Sequence, residues 1–361
     1  MLGTVSVHHH PESCLLLPSL TTVRGSLVAL LAVGASLVGA SLTAQTDPGP
    51  GVTSSTRLKE PTQEELMARR TVVMAAPVFT RAPWLFDYEA ARAAAKAKGQ
   101  LIFVYCTRSY RPDVGGRQLE AGSFSEPAFV EFAKSVVLLC NITSHVEGDK
   151  DQGLLQELEG RAFPHLVFLD ADGEVFCKVP AGEEERVVTR FVELRGKAEA
   201  ARALAARFRA GEKAVARELL MARYSLNAIS FKDATELASE IHADAEQRKQ
   251  IDQALLQIEV QELSGSARLV SEVAVVGRRF DAMWKQGRVP TGVPARNFFS
   301  AILTAKDVDG DVEGFGKALN AYRDVVKGLE RADVIVKGYE AQLARLKKRV
   351  GEPAKVPSSG K

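Results

Sequence analysis

The side chains of this sequence best suited to covalent chemistry are its cysteines, because a thiolate is both a nucleophile and a metal ligand. Cys14 lies near the N-terminus, and Cys106, Cys140 and Cys177 each lie in or at the end of an apolar run. Cys106 is the candidate nucleophile, because the run that it ends enters a polar loop where a side chain is partly accessible. In a single-thiol redox site, Arg108 and Arg111 would assist Cys106.

The alternative for these cysteines is a structural role, since a free cysteine packs as a small buried hydrophobe. A disulfide between Cys106 and Cys140 needs facing Cβ atoms about 3.8 Å apart. If Val104 pairs with Leu139, Cys106 and Cys140 point to opposite faces of the sheet, and a register error of one residue would reverse this. We therefore expect no disulfide between them.

Other chemistry has weaker support. His145 is isolated, and so is His165, so no metal site with ligand spacing is visible. The stretches "DADGE" and "DVDGDVE" resemble calcium loops, but from Asp307 the sixth and twelfth positions hold Val312 and Ala318 instead of glycine and an acid. Both are predicted to be turns. We expect no metal and no cofactor, since phosphate-loop, dinucleotide and serine-nucleophile motifs are also absent from the sequence.

The elements that must position these residues alternate between helix and strand from about residue 82 to 195. Their order predicts a mixed sheet flanked by helices. The predicted elements are a helix from the Asp87 cap to Gly99, a strand at 101–106, a helix with Ser125 as cap and Pro127 in its first turn, a strand at 136–142, a hairpin at 165–179 turning at Asp172 and Gly173, and one or two helices after Gly182 with acids in the first turn.

After residue 197 helical periodicity continues to about residue 350, with Gly and Pro between the segments. This predicts an all-α helical array, although only fragments of a 34-residue repeat are found. We predict domains at 81–196 and 197–350, followed by a disordered tail at 351–361.

The N-terminal part contains an uncharged apolar segment after Arg24 that suits a secretory signal better than a membrane span. We predict a signal region at 1–44, with translation starting near residue 23, and a linker with a short helix at 45–80. The protein is then exported to the periplasm or outside the cell, with no stable transmembrane span after cleavage. Its composition suggests a bacterial source. A net charge of +2 over 361 residues argues against a nucleic-acid partner.

An ordered series of segments resembles the thioredoxin-like superfamily over about 115 residues. The series comprises Trp84 with "FDYEAARAAAKAKGQ", then "LIFVYC", "LEAGSFSEPAFVEF", "VVLLCNI", "AFPHLVFLDADGEV" and the helix from Glu183. The resemblance implies a thioredoxin-like α/β domain before the helical array. It also implies a cis peptide bond at Phe163–Pro164, placed against the loop that is reactive in the family, and a ligand-contacting position at His165.

The reactive positions of that family differ here. Its two cysteines correspond to Asp113 and Gly116, and its buried Asp and Lys to Val104 and Leu139. Dithiol exchange in this loop is therefore excluded, because neither Asp nor Gly forms a disulfide. We interpret Asp113 as a helix cap.

These residues lead us to expect a redox-inactive module that recognises a protein or peptide in the cell envelope. The expected binding residues are Arg108, Tyr110, Asp113, Gly116, Phe163, Pro164 and His165. The alternatives are a thiol-disulfide or peroxide-linked enzyme that uses Cys106, and a structural component of the envelope.

Overall fold

The computed structural model describes residues 60–351. The predicted signal region, residues 45–59 of the predicted linker and the C-terminal tail from residue 352 lie outside the described residues. Within residues 60–351, no helix is both long and apolar enough to span a membrane.

A five-stranded mixed sheet forms the centre of the N-terminal half, in the order β1-β3-β2-β4-β5. Strands β1, β3 and β2 are parallel to one another, whereas β4 is antiparallel to both of its neighbours, β2 and β5. The strands are β1 (Trp84–Leu85), β2 (Ile102–Arg108), β3 (Val137–Thr143), β4 (His165–Leu169) and β5 (Val175–Lys178). This confirms the predicted mixed sheet, including the hairpin at Gly173, whose φ of 89° suits a glycine turn.

The two faces of the sheet bury different residues, because successive side chains of a strand alternate. On one face Phe103 and Tyr105 pack into an aromatic cluster with Trp84 and Phe124. On the other face Val104 and Cys106 pack with two alanines and three leucines, which are Ala91, Ala95, Leu154, Leu155 and Leu158. Both faces are covered, which explains why β2 and β3 are continuous apolar runs.

Seven helices accompany the sheet. They are α1 (Gln63–Met74), α2 (Val78–Arg81), α3 (Tyr88–Lys98), α4 (Val114–Ala121), α5 (Pro127–Ala133), α6 (Leu154–Glu157) and α7 (Val188–Arg209). Helix α3 has the predicted ends: Asp87 accepts a hydrogen bond from the Ala90 amide, and Gly99 adopts the left-handed conformation.

Two predicted helix starts are wrong. Ser125 is not the cap of α5, because its hydroxyl donates to the Glu120 carbonyl and Glu126 takes the cap position. The acids after Gly182 form a separate 3-10 turn, Glu183–Glu185, and do not lie in the first turn of α7. Helix α7 is continuous across residues 196 and 197.

Helices make up the rest of the described chain, as predicted, and its five strands all precede residue 179. The helices are α8 (Ala216–Ser225), α9 (Phe231–Ser239), α10 (Ala245–Ser266), α11 (Val270–Lys285), α12 (Gly292–Asp309), α13 (Val312–Val326) and α14 (Ala332–Gly351). The stretch "DVDGDVE" is the predicted turn, with Gly310 in the left-handed conformation between α12 and α13.

The apolar core extends from the sheet into the helices. One cluster of buried residues runs from Val78 to Ile258, and α7 contributes Phe191 and Leu204 to it. A second cluster joins α10 through α14. Helix α7 therefore connects the packing of the sheet to that of the first helices of the array.

Helices α11 and α12 pack closely at Gly277. A Cβ atom there would lie 2.6 Å from the Ala301 carbonyl carbon and 2.9 Å from the Ala305 Cβ. We predict that Gly277→Ala lowers the free energy of unfolding by about 2 kcal/mol, because overpacking against backbone outweighs the better helix propensity of alanine. Urea denaturation measures the change.

Gly196→Ala is the matched control for this substitution, since Gly196 lies in α7 with open space around its Cα. It should raise the free energy of unfolding by about 0.5–1 kcal/mol through helix propensity. Equal effects of the two substitutions would contradict the close packing at Gly277.

Candidate functional site

The candidate site lies at the carboxyl ends of β2 and β3, where two parallel neighbours reach the same edge of the sheet. Arg108 ends β2 beside Thr143 of β3, and the Ser109 amide donates to the Thr143 carbonyl at 3.0 Å. The chain then forms a short loop and enters α4 through Asp113.

Asp113 is the N-cap of α4, as predicted. Its Oδ1 accepts from the Gly116 amide at 3.0 Å, and its Oδ2 accepts from the Thr107 hydroxyl at 2.8 Å. The residue is only 7% exposed. Because both carboxylate oxygens are occupied by internal donors, Asp113 holds the loop and has little capacity left for a ligand.

Gly116 leaves no room for a side chain. A Cβ atom at this position would lie 2.5 Å from the Tyr105 hydroxyl oxygen and 2.6 Å from Asp113 Oδ2. The Tyr105 hydroxyl in turn donates to Glu120 Oε1 at 2.9 Å. Gly116 is buried, and the absence of a side chain there lets the Asp113 carboxylate approach its amide.

The Phe163–Pro164 peptide bond is cis, as the resemblance implies. Pro164 is buried against α4: a Cβ on Gly115 would lie 2.8 Å from the Pro164 Cδ. Arg186 Nη2 donates to the Pro164 carbonyl at 3.4 Å. The corner formed by Asp113, Gly116 and Pro164 is therefore packed closed, and these three predicted binding residues are not on the surface.

Three other predicted binding residues, Arg108, Tyr110 and Phe163, form a partly exposed row of rings and guanidinium groups together with His145 and Arg111, which were not predicted to bind. The Arg108 guanidinium lies 5.6 Å from the Phe163 ring centroid and 5.9 Å from that of Tyr110, distances suited to cation–π attraction. Tyr110 stacks on His145 at 4.0 Å, and Arg111 lies 6.0 Å from the Tyr110 ring. We call these five residues, Phe163, Arg108, Tyr110, His145 and Arg111, the arginine–aromatic rim.

His165 lies beside the rim at the start of β4, where it pairs with Cys106. It is half-buried, and its Nε2 has no hydrogen-bond partner. Burial lowers the pKa of His165, so the imidazole is neutral at neutral pH.

The three cysteines of the described chain are free and buried. Val104 pairs with Leu139, so Cys106 and Cys140 lie on opposite faces, as expected from that register. The expected partial accessibility of Cys106 is wrong: the residue is 0% exposed. Burial raises the pKa of the Cys106 thiol to about 12, which disfavours the reactive thiolate.

Burial also disfavours the thiolate form of the other two cysteines. Burial raises the pKa of Cys140 well above its usual value and that of Cys177 to about 12. Within residues 60–351, no group of three His, Cys, Asp or Glu side chains is placed to hold a metal ion.

Two surface clefts contain charged groups that are held in ion pairs. In the cleft beside β5, Arg223 bonds to Glu174 at 2.7 Å. In the cleft between α11, α12 and α13, Lys306 lies 3.0 Å from both Asp281 and Asp311. Arg223 and Lys306 are therefore engaged in structural ion pairs.

Two arginines of this edge were not predicted from the sequence. Arg69 of α1 donates to the Tyr110 carbonyl at 2.9 Å, and Arg186 reaches Pro164 from the turn before α7. Both come from segments distant in sequence from the loop, and no local motif marks them.

No protein-family model and no curated protein matches this chain. The function must therefore be inferred from the residues and their geometry.

We predict that Asp113→Ala lowers the free energy of unfolding by about 2 kcal/mol, because it removes the helix cap and leaves the buried Thr107 hydroxyl without its acceptor. Asp113→Asn should cost about 1 kcal/mol, since the amide oxygen still caps Gly116 but the NH₂ group cannot accept from Thr107. Denaturant unfolding would contradict the cap if both substitutions had the same effect.

Glu120 makes the stability of the folded protein depend on pH. Burial, together with the nearby Asp113 charge, raises the pKa of Glu120. The folded protein then binds a proton more tightly than the unfolded chain, so this group's contribution to stability falls as pH rises from the unfolded pKa through the folded one.

We predict that Glu120→Gln removes the loss of stability that the ionisation of Glu120 causes as pH rises. The variant should match the wild type at about pH 4 and exceed it by at most about 1 kcal/mol at about pH 7, a small gain because the half-exposed carboxylate is screened by solvent. Urea unfolding at both pH values tests this, and a variant less stable at neutral pH would contradict it.

Proposed function

We propose that this is an exported protein whose sheet domain is thioredoxin-like but lacks dithiol chemistry, and which recognises a protein or peptide in the cell envelope. The arginine–aromatic rim is the recognition surface. The helical array supplies additional docking surface.

The observation that carries the proposal is a contrast between two neighbouring sets of residues. Asp113, Gly116 and Pro164 are buried and make their contacts within the protein. Arg108 and Tyr110, a few residues away, remain half-exposed, with the Arg108 guanidinium held by a carbonyl and two rings. A rigid scaffold with preorganised aromatic and arginine groups at its edge suits partner recognition, because such residues dominate binding energy at interfaces.

Several features support the thioredoxin-like assignment. The sheet is mixed, and α4 follows β2 at the point where the resemblance places the reactive loop. Val104 and Leu139 are buried side by side where the family has its proton-transfer pair. Export rests on the N-terminal segment of the sequence.

The alternative of a single-cysteine oxidoreductase has less support. Cys106 is fully buried with a raised pKa, and it lies on the sheet face opposite Cys140. A structural role in the envelope remains the other alternative, and the length of the helical array is its only support.

Site-specific cross-linking tests the recognition surface. We predict that a photoreactive phenylalanine analogue at Tyr110 in the full-length chain gives discrete adducts with envelope proteins. The same analogue at Phe231, also a partly buried aromatic but in the helical array, is the matched control. An adduct pattern at Tyr110 that is absent or identical to that at Phe231 would contradict the assignment of the rim.

A redox assay tests the alternative that the protein is an oxidoreductase. Insulin reduction and peroxide consumption should be at background for the wild type and for Cys106→Ser alike, because the thiol is inaccessible. A wild-type activity that the substitution abolishes would favour the oxidoreductase.

A further inference from the structure

The edge of the sheet that carries the rim has an excess of positive charge without ion-pair partners. Within residues 60–351, four of its arginines lie beyond 4.0 Å of any carboxylate oxygen: Arg69, Arg108, Arg111 and Arg186. Other arginines nearby are paired, as Arg70 is with Asp149 at 2.6 Å and Arg190 with Glu185 at 2.6 Å. The chain as a whole is almost neutral, so this concentration is local.

Three of these guanidinium groups are fixed by main-chain carbonyls. Arg69 donates to Tyr110, Arg108 donates to Pro112 at 3.0 Å, and Arg186 donates to Pro164. The Nε atoms of Arg108 and Arg186 are buried without an acceptor. Neutral carbonyls compensate a desolvated cation only in part, so the fold holds positive charge that an incoming carboxylate would stabilise.

Arg186 shows the incomplete compensation most clearly. Burial lowers the pKa of its guanidinium, although the buried Asp113 carboxylate opposes that effect. The Asp113 carboxylate accepts from the Gly116 amide and the Thr107 hydroxyl, and it does not form an ion pair with Arg186.

The cations belong to one surface. Arg108 lies over the Phe163 ring, and Arg186 bonds to the next residue, Pro164. On the other side Arg108, Arg111 and Arg69 all contact Tyr110. The positive charge therefore follows the arginine–aromatic rim from Tyr110 to Phe163, and Arg186 adds to it at the residue after Phe163.

We propose that the partner recognised at the rim is an acidic peptide segment, whose carboxylates pair with Arg108, Arg111 and Arg186 while an aromatic or apolar side chain packs on Tyr110. This rests on the proposed recognition function and specifies its ligand. Arginine suits such a ligand because its planar fork pairs with a carboxylate through two parallel hydrogen bonds.

Exposed acidic residues close in sequence to both ends of the surface favour a short peptide over a long polyanion. Glu147 follows His145 closely at one end, and the exposed Glu183 and Glu184 precede Arg186 at the other. A nucleic acid or an anionic membrane would bring continuous negative charge against these carboxylates. A short segment places its charges only between them.

The test uses the full-length chain and a fluorescein-labelled peptide that alternates Glu and Asp around a central Tyr, with the Gln/Asn version as neutral control. Fluorescence anisotropy should show binding of the acidic peptide that weakens with added salt. The neutral peptide should bind at least about tenfold more weakly, the effect of losing hydrogen bonds to charged groups.

Two substitutions of exposed arginines form a matched pair. Arg111→Glu reverses a charge on the rim at a side chain that makes no hydrogen bond. The substitution should weaken the binding of the acidic peptide at least about tenfold. Arg345→Glu reverses an exposed arginine of α14 and should change the Kd less than about twofold. Circular dichroism and unfolding curves of both variants confirm that each is folded.

The outcomes separate this inference from the proposed function. Binding of both peptides with equal affinity, together with specific adducts at Tyr110, would overturn the acidic ligand and leave recognition at the rim intact. No binding of either peptide and no adduct would overturn both. Tighter, Arg111-dependent binding of single-stranded RNA or of phosphatidylglycerol vesicles than of the acidic peptide would overturn the peptide as the ligand.

Discussion

The carboxylate of Asp113, held between the Thr107 hydroxyl and the Gly116 amide, is the contact on which the edge of the sheet depends. It joins the end of β2 to the start of α4, so it fixes the direction in which the helix leaves the sheet. The contact requires glycine at position 116, because a side chain there would meet both Asp113 and Tyr105. With α4 fixed, Gly115 lies against Pro164 and the corner is closed.

The closed corner determines which groups stay available on the surface. The polar groups below it are used internally, whereas the guanidinium groups around it are held by carbonyls and rings that carry no net charge. Asp113 accepts hydrogen bonds from two neutral donors and forms no ion pair with an arginine. The guanidinium groups of this edge therefore remain available to pair with an anionic ligand.

The features that the sequence predicts correctly are those that depend on interactions between adjacent residues. The caps at Asp87 and Asp113, the left-handed Gly99 and the apolar strands each depend on a few adjacent residues, and the structure has all of them. Ser125 fails as a cap because a competing carbonyl, that of Glu120, is brought near by the turn of the chain. The burial of Cys106 and the reach of Arg186 to Pro164 depend on packing between distant segments, which periodicity does not encode.

The register of β2 and β3 decides how the cysteines can be used. Pairing Val104 with Leu139 sends Cys106 and Cys140 to opposite faces, and each then enters a separate apolar cluster. A shift of one residue would have placed the two sulfurs on one face, but it would also have turned every buried side chain of a strand to the other face. The aromatic cluster on one face and the small alanines of α3 on the other do not tolerate that exchange. The core that stabilises the sheet is therefore also what keeps its thiols apart, and it leaves the charged edge as the part of the sheet open to a partner.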